Sequence, residues 1–253
     1  VKTVLAIAGS DPTGGAGIQV DLQVFHTLEV HGLTAITAIT AQNEHRFFSL
    51  NPVSSHLVRE QLNSIVATHP LDQIDAVKIG MLGTEENVFA VYRFLEHAAK
   101  GGHPLKVVLD PVLKSSTGAI LLEPKGIAIL REFIIPLSTI VTPNLDEAET
   151  LAKMKVRTLD EMKEAALHLH TAHKGVKAVL VKGGHLKDEA TDVLYDGRDW
   201  KFFPAKKRFS KSVHGTGCAL SSAIAASIAN GLSIEKSIET AKDYVTNFMR
   251  DRS

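Results

Sequence analysis

Short runs of β-branched and apolar residues alternate along this chain with longer segments whose apolar positions recur every three or four residues. The runs at 4–8, 34–40, 76–79, 106–109, 139–141 and 178–181 predict strands. The segments 17–28, 55–68, 85–99, 124–134, 146–153 and 159–173 predict helices. In 55–68, Leu57, Val58, Leu62, Ile65 and Val66 share one face, and Pro124 opens the fourth helical segment. Residues 193–203 predict a hairpin around Asp196-Gly197, and two more helices start at Thr216 and Ile234. No linker or internal repeat interrupts this order, so residues 1–253 are expected to form a single domain. Strands alternating with helices predict an α/β fold, a mainly parallel sheet covered by helices on both faces.

In such sheets ligands bind beyond the carboxyl ends of the strands. Gly9-Ser10-Asp11 and Gly14-Gly15-Ala16-Gly17 follow the first predicted strand, and Gln42-Asn43 the second. Gly80-Met81 follows the third, Asp110-Pro111-Val112 the fourth, Pro143-Asn144 with Glu147 the fifth, and Lys182-Gly183-Gly184-His185 the sixth. Turns alone do not require this set of carboxylates, amides, a lysine and glycine pairs on one edge, and a ligand site is expected there.

One stretch carries further chemistry. His214-Gly215-Thr216-Gly217-Cys218 runs straight into a helix of small residues. Glycines let successive N–H groups point at one spot, and a helix start adds unpaired N–H groups and partial positive charge. The stretch reads as an anion site for a phosphoryl group, or as a tight turn entering a packed helix. Cys218 on the first helical turn is expected to have a lowered pKa. Lys182 and the glycine site together suggest a polyphosphate, and Asp110 with Glu147 suggests Mg2+, held partly through water. No Gly-x-x-x-x-Gly-Lys-Ser/Thr loop is present, and Gly14-Gly15-Ala16-Gly17 lacks the Gly-x-Gly-x-x-Gly spacing of dinucleotide sites.

Composition narrows the setting. A chain with 44% apolar and 22% charged residues can bury a core without staples. Twenty-eight basic and 28 acidic residues cancel, which argues against nucleic acid or a polybasic membrane anchor as partner. The three histidines of His168-Leu169-His170-Thr171-Ala172-His173 fall on a predicted helix without a cysteine or acidic neighbour, and read as a solvated face. A lone cysteine excludes an intrachain disulfide and fits a reducing compartment. The first apolar run lacks the length and cleavage site of a signal peptide, and the small-residue stretch 219–228 is about half a membrane span. A soluble cytoplasmic protein is expected.

Eight stretches, in order, resemble the hydroxymethylpyrimidine and phosphomethylpyrimidine kinases of thiamine synthesis, within the ribokinase-like superfamily. They are Ala8-Gly9-Ser10-Asp11, the stretch from Gly14 to Leu22, Thr40-Ala41-Gln42-Asn43, Val77 to Gly83, Leu109-Asp110-Pro111-Val112, Thr142 to Ala148, Val181 to His185 and His214 to Cys218. The resemblance implies a three-layer α-β-α sandwich with a small hairpin in the C-terminal half. It implies an ATP- and Mg2+-dependent kinase acting on 4-amino-5-hydroxymethyl-2-methylpyrimidine and then on its monophosphate. Asp21 and Gln42 would hydrogen-bond the ring, with Gly9, Ala16, Met81 and Val112 shaping the walls. Asp110 and Glu147 would belong to the metal shell, and Asn144, Lys182 and Thr216 to the nucleotide site. Gly215, Thr216 and Gly217 would form the anion hole, with Cys218 at the position of the superfamily's usual aspartate base. A pyridoxal or pyridoxine kinase of the same group is the alternative, and a non-catalytic pyrimidine-binding protein a further one. Relatives are often dimers, which leaves a homodimer open.

The chain also departs from the family. Glu44-His45-Arg46-Phe47-Phe48 replaces the Thr-x-Gly-Val that commonly follows the Gln-Asn pair, in a loop that acts as a lid in relatives. Ser116 takes the position of a usual lysine, with Lys114 nearby, and the frequent Gly-His-Gly-Pro tail does not precede Arg252-Ser253.

Overall fold

Nine strands hydrogen-bond into one sheet in the computed structural model, which describes residues 1–43, 46–115, 117–184, 190–205 and 213–252. The strands are β1 (Thr3–Ser10), β2 (His31–Gln42), β3 (Phe47–Pro52), β4 (Ala76–Ile79), β5 (Val107–Leu109), β6 (Ile140–Val141), β7 (Ala178–Val181), β8 (Thr191–Tyr195) and β9 (Trp200–Pro204). Their order across the sheet is β3-β2-β1-β4-β5-β6-β7-β8-β9. From β2 to β7 every pairing is parallel, and β3, β8 and β9 join antiparallel at the two ends.

The helices are α1 (Gly17–Thr27), α2 (Ser55–Thr68), α3 (Glu85–Lys100), α4 (Pro124–Ile129), α5 (Leu145–Ala152), α6 (Leu159–Ala172), α7 (Thr216–Ala229) and α8 (Ile234–Arg250). Alternate residues of β1, buried from Thr3 to Gly9, feed two cores, because successive side chains of a strand point to opposite faces. Leu5 and Ile7 pack with α2 through α6, around residues such as Leu62, Val91 and Leu151. Val4 and Ala6 pack with α1, α7 and α8, around Val24, Ile224 and Ile238. The three layers match the expected sandwich. In α7, Ala219 to Ala229 are all buried, so this helix is buried all round rather than along one stripe, with Ser221, Ser222 and Ser227 among its small residues. Among the described residues no helix is long and apolar enough to cross a membrane.

Two elements differ from the sequence reading. Residues 47–52 form an edge strand, although Phe47-Phe48-Ser49 breaks the alternation and Pro52 ends the run. An edge position tolerates both, since one side needs no ladder partner. The predicted helix 124–134 is α-helical only to Ile129. Leu130–Ile134 winds more widely, and Ile135–Leu137 tightens around Pro136, which has no N–H to donate. Of the histidine run, His168 is exposed on α6 and His170 stands edge-on to Tyr195. Glu44, His45, Ser116 and His185 lie outside the described residues.

Candidate active site

A cavity of about 1130 Å³ opens at the carboxyl ends of the parallel strands, between them and the start of α7. That volume exceeds the pocket of one drug-sized ligand and suits two ligands meeting end to end. Its lining draws on the loops after β1, β4, β5, β6 and β7 and on the end of β2. Of the residues singled out in the sequence, Gly9, Ala16, Gln42, Met81, Asp110, Val112, Asn144, Glu147, Lys182, Gly215, Thr216, Gly217 and Cys218 all line it.

The middle of the cavity is the glycine turn into α7. Gly215 caps the helix at φ 87°, with no side chain bonded across the first turn. A Cβ there would collide with the Gly15 carbonyl oxygen, so only glycine lets the two loops meet. His214 Nε2 lies 3.2 Å from Oδ2 of the buried Asp11, which ties the same loops together at the cavity lip. The Thr216 hydroxyl donates back to the Val213 carbonyl at 3.2 Å. A Cβ on Gly217 would lie 3.4 Å from Lys182 Nζ and 3.6 Å from Asp110 Oδ2, so glycine keeps that approach open. The helix start thus presents backbone N–H groups where an anion can reach them.

At one end, Lys182 Nζ donates to Asp110 Oδ1 at 2.7 Å. Asp110 also accepts from Thr142 at 3.3 Å and from Ser221 at 3.4 Å. Burial works against the Lys182 charge, but Asp110 and Glu147 hold the ammonium above its ordinary value. Asn144 and Glu147 form a capping box on α5, each side chain bonded to the other's backbone N–H at 2.9 and 2.8 Å. The pair thus starts the helix, and both residues line the cavity as well. Burial raises the Glu147 carboxyl to about 7, Lys182 opposing and Asp110 adding to the rise. Two carboxylates that repel each other in a buried site form a hard oxygen pair that a divalent cation neutralises, so the donor set fits Mg2+. Among the described residues no group of three or more His, Cys, Asp or Glu could hold a metal ion. The protein therefore offers two carboxylates, and water and phosphate oxygens would complete a shell.

The rest of the lining includes Gly9, Gln42, Met81 and Val112. Gly9 lies against Met81, where any larger residue would collide with the methionine methyl. Gln42 ends β2 half-buried, at a register shift in its pairing with β3. Asp21 was expected beside them as a ring partner, and the structure places it elsewhere. Its carboxylate is fully buried on α1, does not line the cavity, and accepts from Lys78 Nζ at 2.8 and 2.9 Å and from Ser222 Oγ at 2.6 Å. Burial pushes the Asp21 carboxyl up, against the pull of Lys78 and Ser222.

Cys218 also differs from expectation. The thiol is pushed up, not down. Burial is the main cause and the Asp21 and Asp110 carboxylates add to it, while Lys78 and the Gly17 N–H bonded to the sulfur oppose it. A helix start lowers a thiol pKa only where burial and neighbouring anions do not outweigh it.

Lys78 escaped the sequence reading altogether. The signal was a lysine inside the four-residue strand Ala76-Val77-Lys78-Ile79, whose other members are apolar. A strand in the middle of a parallel sheet is buried on both faces, so a charge there must have a buried partner.

A sequence profile of the family described as phosphomethylpyrimidine kinase matches residues 11–253. A hydroxymethylpyrimidine/phosphomethylpyrimidine kinase of Aquifex aeolicus is 38% identical over 248 residues, covering 98% of this chain and 94% of its own. Its namesake from Rhizobium meliloti is 41% identical over 242 residues, covering 95% and 88%. Among solved structures, a phosphomethylpyrimidine kinase from Clostridium difficile superposes with a TM-score of 0.84 at 35% identity, over 98% of this chain and 100% of that one. A pyridoxal kinase from Bacillus subtilis, solved as an ADP complex, gives 0.85 at 35% identity, over 97% and 90%.

Proposed function

The chain belongs to the phosphomethylpyrimidine kinase family, and from that premise we propose that it phosphorylates 4-amino-5-hydroxymethyl-2-methylpyrimidine with ATP, and then the resulting monophosphate, in thiamine biosynthesis. The observation that carries the reading is the continuity of the cavity. Gly9, Gln42, Met81 and Val112, Asn144 and Lys182, and the N-terminal turn of α7 all line this one cavity. The nine-stranded sheet supports one catalytic domain over 1–253.

Gln42 offers an amide donor and acceptor to the aminopyrimidine edge, and the Met81 and Val112 side chains cover its faces. The hydroxymethyl group then points at the α7 start. There the N–H groups of the Gly215-Thr216-Gly217 turn hold the γ-phosphoryl oxygens while the hydroxyl attacks in line. Lys182, released from Asp110 by the incoming phosphates, neutralises charge on the nucleotide. Asp110 and Glu147 would hold Mg2+, which supplies charge neutralisation on the phosphates when bound. Cys218 accepts or orients the hydroxyl proton. Because its thiol is raised, most of the rate falls to the anion hole and the cations, as a loose transition state allows.

The test is a steady-state assay with ATP and each pyrimidine. Transfer to both supports the proposal, and transfer to neither overturns it. Nucleotide binding without turnover would point to a non-catalytic binding protein. The likeness to a pyridoxal kinase, with a TM-score of 0.85, fits a second reading, in which pyridoxal or pyridoxine is the acceptor. A competition assay between the two rings separates them, the preferred acceptor having the higher kcat/KM.

A further inference from the structure

The ion pair behind Cys218 has no role in the reading above. Lys78 leaves β4 fully buried, and both of its bonds to Asp21 are shorter than 3 Å. The arrangement is a ladder between α1 and α7. Gly17 and Asp21 are four residues apart on α1, and Cys218 and Ser222 four apart on α7, so each pair shares a helix face. On one rung the Gly17 N–H bonds the Cys218 sulfur, and on the next Ser222 Oγ donates to Asp21. Lys78 enters from the sheet, past Gly80, where a Cβ would lie only 2.9 Å from its Nζ. It reaches the wall of the same cavity that Cys218 lines. The charges that act on the thiol are Lys78 from β4, Asp21 from α1 and Asp110 from the loop after β5, while Lys182 after β7 feels the thiol in turn.

We propose that Lys78 is a positioning residue for Cys218: its ammonium, tied down by Asp21, fixes a positive charge beside the sulfur and stabilises the thiolate that takes the hydroxyl proton. The proposal rests on the kinase reading of this site. In the step, the sulfur gains the hydroxyl proton as the new O–P bond forms and the bond from the γ-phosphorus to the ADP oxygen breaks. The thiol then returns its proton to solvent. Against the burial and the carboxylates that raise the thiol, Lys78 is the charge that opposes them, and the Ser222–Asp21–Lys78 chain of bonds holds it one helical turn from Cys218.

The test reads Cys218 without turnover, so it stands or falls apart from the kinase assay. Cys218 is the chain's one cysteine, and iodoacetamide uptake followed by intact mass reports on it alone. Alkylation rates are measured from pH 7 to 11 for the wild type, Lys78→Met and Asp21→Asn. Lys78→Met is expected to move the midpoint up by about one unit, slowing alkylation at pH 8 roughly tenfold. Asp21→Asn removes the negative charge while its amide oxygen can still accept from Lys78 Nζ, and moves the midpoint down with the high-pH plateau unchanged. General loosening would instead expose the thiol and lower both midpoints towards free cysteine. Opposite shifts support the proposal, and shifts in one direction, or none, overturn it. Should Lys78→Met not fold by circular dichroism, Asp21→Asn decides: a lower midpoint at constant plateau supports, and an unchanged midpoint or a raised plateau overturns.

Discussion

At the scale of single residues, three side chains make separable predictions. Gln42→Leu keeps roughly the same volume but leaves a ring donor or acceptor unpaired, so calorimetry should show pyrimidine binding weaker by about 1–3 kcal/mol. Lys182→Ala should raise the KM for ATP and leave the pyrimidine KM in place, because the ammonium sits among Asp110 and Glu147 at the far end of the cavity. An effect confined to the pyrimidine KM would remove Lys182 from the nucleotide site. Glu147 predicts a pH effect on stability. Its carboxyl sits near 4.5 when unfolded and is raised to about 7 when folded, so the folded state holds the proton more tightly. That contribution is full below 4.5 and lost as pH rises through 7. Glu147→Gln should therefore flatten the fall in melting temperature between pH 5 and 8 in metal-free buffer. An unchanged slope would assign it to other groups. Asp110, Lys182 and Cys218 were legible in the sequence because strand ends and a helix start place them by backbone order alone. Asp21 was not, since what decides its role are Lys78, 57 residues away, and Ser222, 201 residues away.

At the scale of elements, strands and helices were legible where one period held. Residues 55–68, 76–79 and 178–181 have the bounds their patterns predict. β3 was not legible because an edge strand is held by main-chain pairing to β2, and its side chains need not alternate. The α7 start was legible as a glycine turn. What could not be read was that Gly215 meets the loop after β1, with both conformations fixed by the meeting. Gly215→Ala must strain a backbone at φ 87° and push the two loops apart. A displacement of about 1 Å in the anion hole costs on the order of 10²-fold in rate. Turnover should fall by that much in Gly215→Ala while the circular dichroism spectrum stays. Full turnover would show that the hole tolerates the shift.

At the scale of the whole molecule, the cavity joins loops from nearly every parallel strand, so ligands should brace the whole sheet. A nucleotide at 100 times its Kd adds about 2.7 kcal/mol to stability. For a chain of this size that raises Tm by roughly 5–10 °C. Lys182→Ala should lose most of that rise at the same nucleotide concentration, measured by differential scanning fluorimetry. The lip contact has a consequence for how the protein is made. Asp11 and His214 stand 203 positions apart, and every residue between them must leave the ribosome before they can meet. At about 5–20 residues per second that delay is roughly 10–40 s. At its end the sheet strands have been made but α7 and α8 have not yet covered their face, and the Ser222 bond to Asp21 is still to form. The cavity lacks its glycine turn until α7 docks, so catalysis is expected only after that docking.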